Sequence, residues 1–180
     1  MTIFVLIIVF ILFLFLIIFN LFHWFGIYAF IKGSPFVPTS SDWCNKILKE
    51  ANLIKGKIFL EMGSGDGRLL RLANLRYGVK CIGLEINPVL IIYSRIITKF
   101  SHLNNISYII KDFFKYDLSS CDYVYVYLLP KTIAKLTPKF IKECKHGTII
   151  ISHRFTIPFS PDKLIKVITV NDSNTYYYRL

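Results

Sequence analysis

The sequence predicts an α/β domain: a mostly parallel, doubly wound sheet of seven strands, closed by a C-terminal antiparallel hairpin and preceded by one transmembrane helix. Three observations predict it. Residues 3–19 are an uninterrupted apolar run, and none of the 22 Lys and Arg or the 11 Asp and Glu precedes Lys32. Behind that run, short strand-like segments alternate with segments of helical period, the pattern of parallel strands joined by crossover helices. At the far end two strand patterns are separated only by Asn171-Asp172-Ser173-Asn174. That gap holds no helix, so the two strands pair as a hairpin.

The apolar share of 54% over 180 residues is an average of two unlike parts, since 27 of the first 31 residues are apolar. The remainder has an ordinary globular composition. One spanning stretch excludes a polytopic membrane protein. The ~150 residues behind it make one domain and exclude a multidomain enzyme. Their apolar content excludes a disordered chain.

Residues 1–31 are thus expected to be an anchor, 32–38 a linker and 39–180 the domain. A helix crosses a ~30 Å hydrocarbon core in ~20 residues, which this segment exceeds. Trp24 and Tyr28 fall near its charged end, where amphipathic rings favour the interface. No basic residue precedes the run, so it does not read as a cleaved signal peptide. All basic flanks follow it, which places the domain on the cytoplasmic side, or the matrix side in an organelle. The net charge of +11 lies behind the anchor and suits anionic headgroups. Dispersed lysines on a tethered chain make nucleic acid the weaker partner. Cys44, Cys81, Cys121 and Cys144 form no C-x-x-C pair, and no metal site is expected.

Pro35 and Pro38 keep the linker extended. Thr39, Ser40 and Ser41 offer caps for a helix over 42–51. Strand 57–61 leads into a glycine loop at 63–67, and helix 69–77 ends at Gly78. Strand 79–85 follows, then a helix from Pro88 to about Phe100, proline being well suited to a first turn. Further strands are read at 106–110, 123–128 and 148–152, with a helix over 131–142 between the last two. The hairpin strands are 164–170 and 175–180.

Three motifs fall, in order, at strand ends. Glu61-Met62-Gly63-Ser64-Gly65-Asp66-Gly67 follows the first strand, and its glycines let the backbone turn and approach a ligand. Glu85 ends the second strand, where a carboxylate accepts from both hydroxyls of a ribose. Asp112-Phe113 lies beyond the third and is placed to bracket an adenine. Arg68 stands where a dinucleotide fingerprint needs a small residue, and no Gly-Lys-Ser/Thr ends the loop, so neither NAD nor a P-loop nucleotide fits. An acidic residue before the glycines suits a ligand with an ammonium group. S-adenosyl-L-methionine carries an ammonium, a ribose and an adenine.

On these residues the segment 35–180 resembles the Rossmann-like class I S-adenosylmethionine-dependent methyltransferases. It is most similar to the membrane-anchored protein-lysine methyltransferases of the ATP synthase c-subunit and adenine nucleotide translocase type, with their bacterial relatives. The resemblance is carried by Pro35-Phe36-Val37-Pro38-Thr39, the 61–67 loop, Gly83 to Pro88, Tyr93-Ser94-Arg95, Lys111 to Lys115, Tyr127-Leu128-Leu129-Pro130, and Arg154-Phe155 with Pro158. It implies cofactor binding by Glu61, Gly63, Gly65, Glu85 and Asp112, with Thr39 and Asn87 nearby. Phe159 stands where relatives often carry tryptophan, in a segment expected to face substrate.

Tyr127 and Pro130 are candidates for the acceptor side, Tyr127 as the lining of a lysine channel or as core. His153, after the fifth strand, is a candidate proton acceptor or substrate contact, and Arg154 a partner for an acidic group. The leading expectation is lysine methylation on a small membrane protein. The alternatives are methylation of a lipid, quinone or RNA, and a non-catalytic anchored interaction module.

Overall fold

The computed structural model describes residues 2–31, 37–170 and 173–180. Within the predicted linker only Val37 and Pro38 are described, and Asn171, Asp172 and the side chain of Tyr28 lie outside the described residues.

Helix α1 (Thr2–Ile31) is apolar on every face. Its most apolar 18 residues have a mean hydropathy of 3.5 and none of them is buried, so the segment is long and apolar enough to cross a membrane. Its polar side chains are served by its own backbone: Asn20 Nδ2 donates to the Leu16 carbonyl at 2.8 Å, and His23 Nδ1 lies 3.0 Å from that of Phe19.

The domain follows as α2 (Ser41–Glu50), β1 (Ile58–Met62), α3 (Arg68–Tyr77), β2 (Lys80–Glu85), α4 (Pro88–Phe100), β3 (Ile106–Ile110), β4 (Tyr123–Val126), α5 (Pro130–Glu143), β5 (Ile149–His153), β6 (Leu164–Val170) and β7 (Ser173–Arg179). The strands form one sheet in the order β3-β2-β1-β4-β5-β7-β6. The first five are parallel, and β7 runs antiparallel between β5 and β6. This is the predicted doubly wound sheet with its hairpin. Ser40 caps α2, accepting from Trp43 N, and Gly78 ends α3 in the left-handed region at φ +65°. β4 is shorter than expected, because the chain leaves the sheet after Val126 and Tyr127 belongs to the loop. Two short 3-10 turns, Phe113–Lys115 and Pro161–Lys163, have no counterpart in the sequence pattern.

Strand alternation divides the core in two. Phe59, Cys81, Tyr123, Tyr125 and Tyr177 face α2, α3 and α4, while Leu60, Met62, Leu84, Val124 and Ile150 face α5. Tyr177 Oη donates to the Ile47 carbonyl at 2.9 Å, so β7 fixes α2 over the sheet. Phe159, in the segment expected to face substrate, is half-buried. Its ring packs 6.3 Å from Phe140 and 5.3 Å from Tyr178, which makes it core on the α5 side. The outer strand β6 carries a bulge between Leu164 and Lys166, and Lys166 Nζ reaches Glu50 of α2 at 3.0 Å.

Gly67 opens α3 at φ +72°, and a Cβ there would overlap the Tyr108 phenol. That phenol is itself held 3.0 Å from Thr98 Oγ1. Gly67→Ala is therefore expected to destabilise the domain by roughly 1–3 kcal/mol through backbone strain, before the clash is counted. A urea titration should show a lower midpoint with an unchanged slope.

Candidate active site

The carboxyl ends of β1, β2 and β4 enclose one cleft. Thr39, Glu61, Gly63, Gly65, Glu85 and Tyr127 line it, together with Asp66 and Arg68. Its floor is the glycine loop, where Gly63, Gly65 and Gly67 all have positive φ. The loop is tied down from beneath: the N–H groups of Gly63 and Ser64 donate to the Leu84 carbonyl at 2.8 and 2.9 Å.

Glu85 completes the tie. Its Oε1 accepts from Ile86 N at 2.8 Å and Asn87 N at 2.9 Å, and its Oε2 accepts from Gly65 N at 3.0 Å. Each carboxylate oxygen has two lone pairs, so Oε1 is filled and Oε2 keeps one acceptor position for a ligand. Burial pushes this carboxyl above its ordinary range, and the three N–H donors pull it back.

Glu61 is different. It is buried, and its Oε2 has no hydrogen-bond partner. Burial pushes its carboxyl well up, and the negative charges of Asp66 and Glu85 push the same way. A buried carboxylate with an unpaired oxygen costs free energy that a cationic group in the cleft would recover. The pair therefore fits a ligand bearing an ammonium and a hydroxyl-rich ring.

Thr39 and Arg68 close the other wall. Arg68 Nη2 pairs with Asp66 at 2.5 Å and Nη1 donates to the Thr39 carbonyl at 3.2 Å, so one guanidinium joins the approach segment to the loop. In the sequence Arg68 serves only to exclude a dinucleotide. An arginine two residues from an aspartate at a helix start is the available signal for this clamp.

Asn87 caps α4 through Oδ1, which accepts from Val89 N at 3.0 Å. Asp112 Oδ1 likewise accepts from Phe114 N at 2.9 Å, and Phe113 is buried. Asp112 and Phe113 follow β3, the strand next to β2, but do not line the cleft itself.

On the acceptor side the structure joins Tyr127 and His153, whose rings lie 4.7 Å apart edge to face. The Trp43 ring of α2 also packs against the imidazole, at 4.7 Å. Its sequence position suggests only the apolar side of α2, and nothing local marks it as part of a site. His153 Nδ1 lies 2.8 Å from Thr175 Oγ1. Burial, aided by Arg154, pushes its pKa down to about 4, so the ring is neutral at physiological pH. Arg154 adopts φ +70° and donates from its backbone to Asn174 O at 2.7 Å, turning its side chain onto Ser173. Pro130 occupies the first turn of α5, is exposed, and stays outside the cleft lining. Among the described residues no group of His, Cys, Asp and Glu is arranged to hold a metal.

The strand order and the carboxylate-lined glycine loop define a class I S-adenosylmethionine-dependent methyltransferase. The family model described as the ANTKMT methyltransferase domain matches residues 61–163. A protein-lysine N-methyltransferase of Saccharolobus islandicus is 32% identical over 83% of this chain and 94% of its own length. The human lysine N-methyltransferase of the ATP synthase c-subunit is 27% identical over 79% of this chain, which spans 63% of that relative. An RNA methyltransferase from Salinibacter ruber, solved with S-adenosyl-L-homocysteine, superposes with a TM-score of 0.75 at 28% identity, covering 79% of this chain and 93% of that one. The chain belongs to the ANTKMT methyltransferase domain family.

Proposed function

We propose that this methyltransferase N-methylates a lysine of a small membrane protein, held to the bilayer by residues 1–31 and joined through 32–38 to a catalytic domain over 39–180. The observation that carries the reading is an apolar helix, α1, whose most apolar stretch is fully exposed, ahead of a domain whose relatives are named for lysine methylation. In this reading Glu61 holds the cofactor's ammonium and Glu85 its ribose. Asp112 and Phe113 meet the adenine, Gly63 and Gly65 let the ligand approach, and Thr39 and Asn87 shape the approach and the α4 end.

When bound, S-adenosylmethionine supplies a methyl group on a sulfonium centre. The residues of the chain must then present a neutral amine in line with it. Tyr127 lines the cleft, and His153 and Trp43 pack in an aromatic cluster beside it that would exclude water from an entering side chain. Desolvation there lowers the pKa of an entering lysine, because burial disfavours the ammonium. His153 is neutral, and its second ring nitrogen has no hydrogen-bond partner among the described residues, so it is free to accept from the acceptor amine. Pro130 fixes the start of α5 behind this cluster.

The basic flank beyond α1 argues for an N-out, C-in span, with the domain on the cytoplasmic or matrix side. A tag at the N-terminus is expected to be accessible from the far side and a tag at Leu180 protected; the reverse pattern overturns the topology. The decisive comparison uses membranes from a deletion strain, supplied with the full chain or with a variant lacking residues 1–31. The full chain is expected to methylate a membrane-protein lysine, read by mass spectrometry of membrane peptides, and the variant to do so far more slowly. Faster methylation of a soluble protein, RNA or free lipid by the truncated variant overturns the assignment.

A further inference from the structure

Helix α4 has two apolar faces. Leu90, Ile91, Ser94 and Thr98 are buried against the sheet. On the opposite side Ile92, Tyr93, Ile96 and Phe100 are between 48% and 78% exposed. At 100° per residue these four fall within one arc of about 100°, a stripe running the length of the helix. A domain gains nothing by presenting such a stripe to water, and exposed apolar patches mark contact surfaces.

Two further observations say what covers it. First, α1 lies against α4. The described α1 residues that are partly covered, Phe25 and Gly26, are at its C-terminal end, where a spanning helix leaves the hydrocarbon. Second, the stripe is flanked by charge of one sign. Arg95 and Lys99 follow along its edge and line a hollow between α4 and β3 with Thr98 and Ser107. Apolar side chains with one tyrosine, bordered by cations, match the boundary between acyl chains and anionic headgroups.

We propose that α4 is a second membrane contact, its stripe bedded in the headgroup–acyl boundary of an anionic bilayer. This rests on the anchoring of α1 proposed above and adds an orientation to it. Crossover helices run antiparallel to the parallel strands they join, so an α4 lying on the surface lays the strands along the bilayer. The cleft at their carboxyl ends then opens sideways at headgroup depth, towards the flank of a neighbouring membrane protein. A tether alone would leave the domain free to tumble.

The test is lipid quenching of a fluorophore on the full chain. Cys44, Cys81 and Cys121 are buried, with thiols pushed up to about 12, 12 and 11, and Cys144 is replaced by serine, so single introduced cysteines can be labelled. Labels are placed at Ile96→Cys on α4, at Ile141→Cys on α5 across the sheet, and at Phe10→Cys in α1. Ile141 is as exposed as the α4 residues, which makes it the matched control. The chain is reconstituted in phosphatidylcholine–phosphatidylglycerol vesicles containing a nitroxide-bearing phospholipid. The expected result is quenching at 96 several-fold greater than at 141, reduced when phosphatidylglycerol is omitted. Equal quenching at 96 and 141, with strong quenching at 10, overturns the α4 contact and leaves the anchor standing. Absence of quenching at 10 overturns the anchor and the proposal together. Protection at 96 that grows with protein-to-lipid ratio and brings energy transfer between chains assigns the stripe to a second copy and also overturns the proposal.

Discussion

Glu61→Gln is expected to yield a protein that is more stable without ligand than the wild type and binds S-adenosylmethionine roughly 10- to 150-fold more weakly, the effect of losing a charged hydrogen-bond partner worth about 1.5–3 kcal/mol. Both halves follow from one buried oxygen. The Glu61 carboxyl lies well above its ordinary value of 4.5 because it is buried beside Asp66 and Glu85. The folded state therefore keeps a proton that the unfolded state has released. Stability falls as pH rises from about 4.5 towards the raised value and stays lost above it. Glutamine removes that loss, so melting curves of the two proteins without ligand should coincide at acid pH and diverge as pH rises. Affinity runs the other way. A ligand ammonium needs the ionised carboxylate, so wild-type affinity should fall about tenfold per unit as pH drops below the raised pKa, while the glutamine variant stays flat. Calorimetry across pH reads both. Equal affinities with parallel pH profiles would place the ammonium site elsewhere.

The second large effect belongs to Glu85→Ala. The structure gives this residue more to do than the ribose contact expected from sequence, because Gly65, Ile86 and Asn87 all donate to it. Alanine leaves three backbone N–H groups without acceptors, at about 1–3 kcal/mol for each that stays buried. Against a total stability of about 5–15 kcal/mol, that opens the loop and lowers the unfolding midpoint severely. Cofactor binding should be lost with it. Glu85→Gln keeps one carbonyl acceptor and should fall between. Wild-type stability in the alanine variant, with weakened binding alone, would show that Glu85 acts on the ligand only.

The elements are legible in the sequence wherever local rules decide them. Pro88 at the start of α4, Gly78 at the end of α3 and the short strand segments of β1, β2 and β3 are statements about a few neighbouring residues, and they hold to within a residue. The two faces of the sheet are equally legible, since strand period fixes which side a residue takes. What is not legible depends on residues far apart in sequence. Trp43 meets His153 only because β7 inserts beside β5 and draws α2 across it. Phe159 reads only as part of a substrate-facing segment, and its packing against Tyr178 depends on the distant strand β7. Arg68 looks like a misfit in a glycine loop, and its partner carbonyl lies at Thr39. In the cleft the carboxylates are readable by position, but the division between them is not. Glu85 is satisfied by backbone and Glu61 is left with an open oxygen, because burial and backbone geometry are properties of the assembled fold.

The bulge in β6 has a bearing on crowding. Chains confined to a bilayer meet one another at far higher effective concentration than chains in solution. An outer strand is the surface most prone to unwanted pairing, since its outer row of N–H and C=O groups invites another strand, and Leu164, Ile165 and Val167 are all partly bare. The irregular register between Leu164 and Lys166 breaks that row, and Lys166 is drawn aside to Glu50. A strand kinked at this point offers no long straight run for a neighbour to match. If the chain is anchored as proposed, neighbouring copies crowded on the bilayer would find no matching edge along β6.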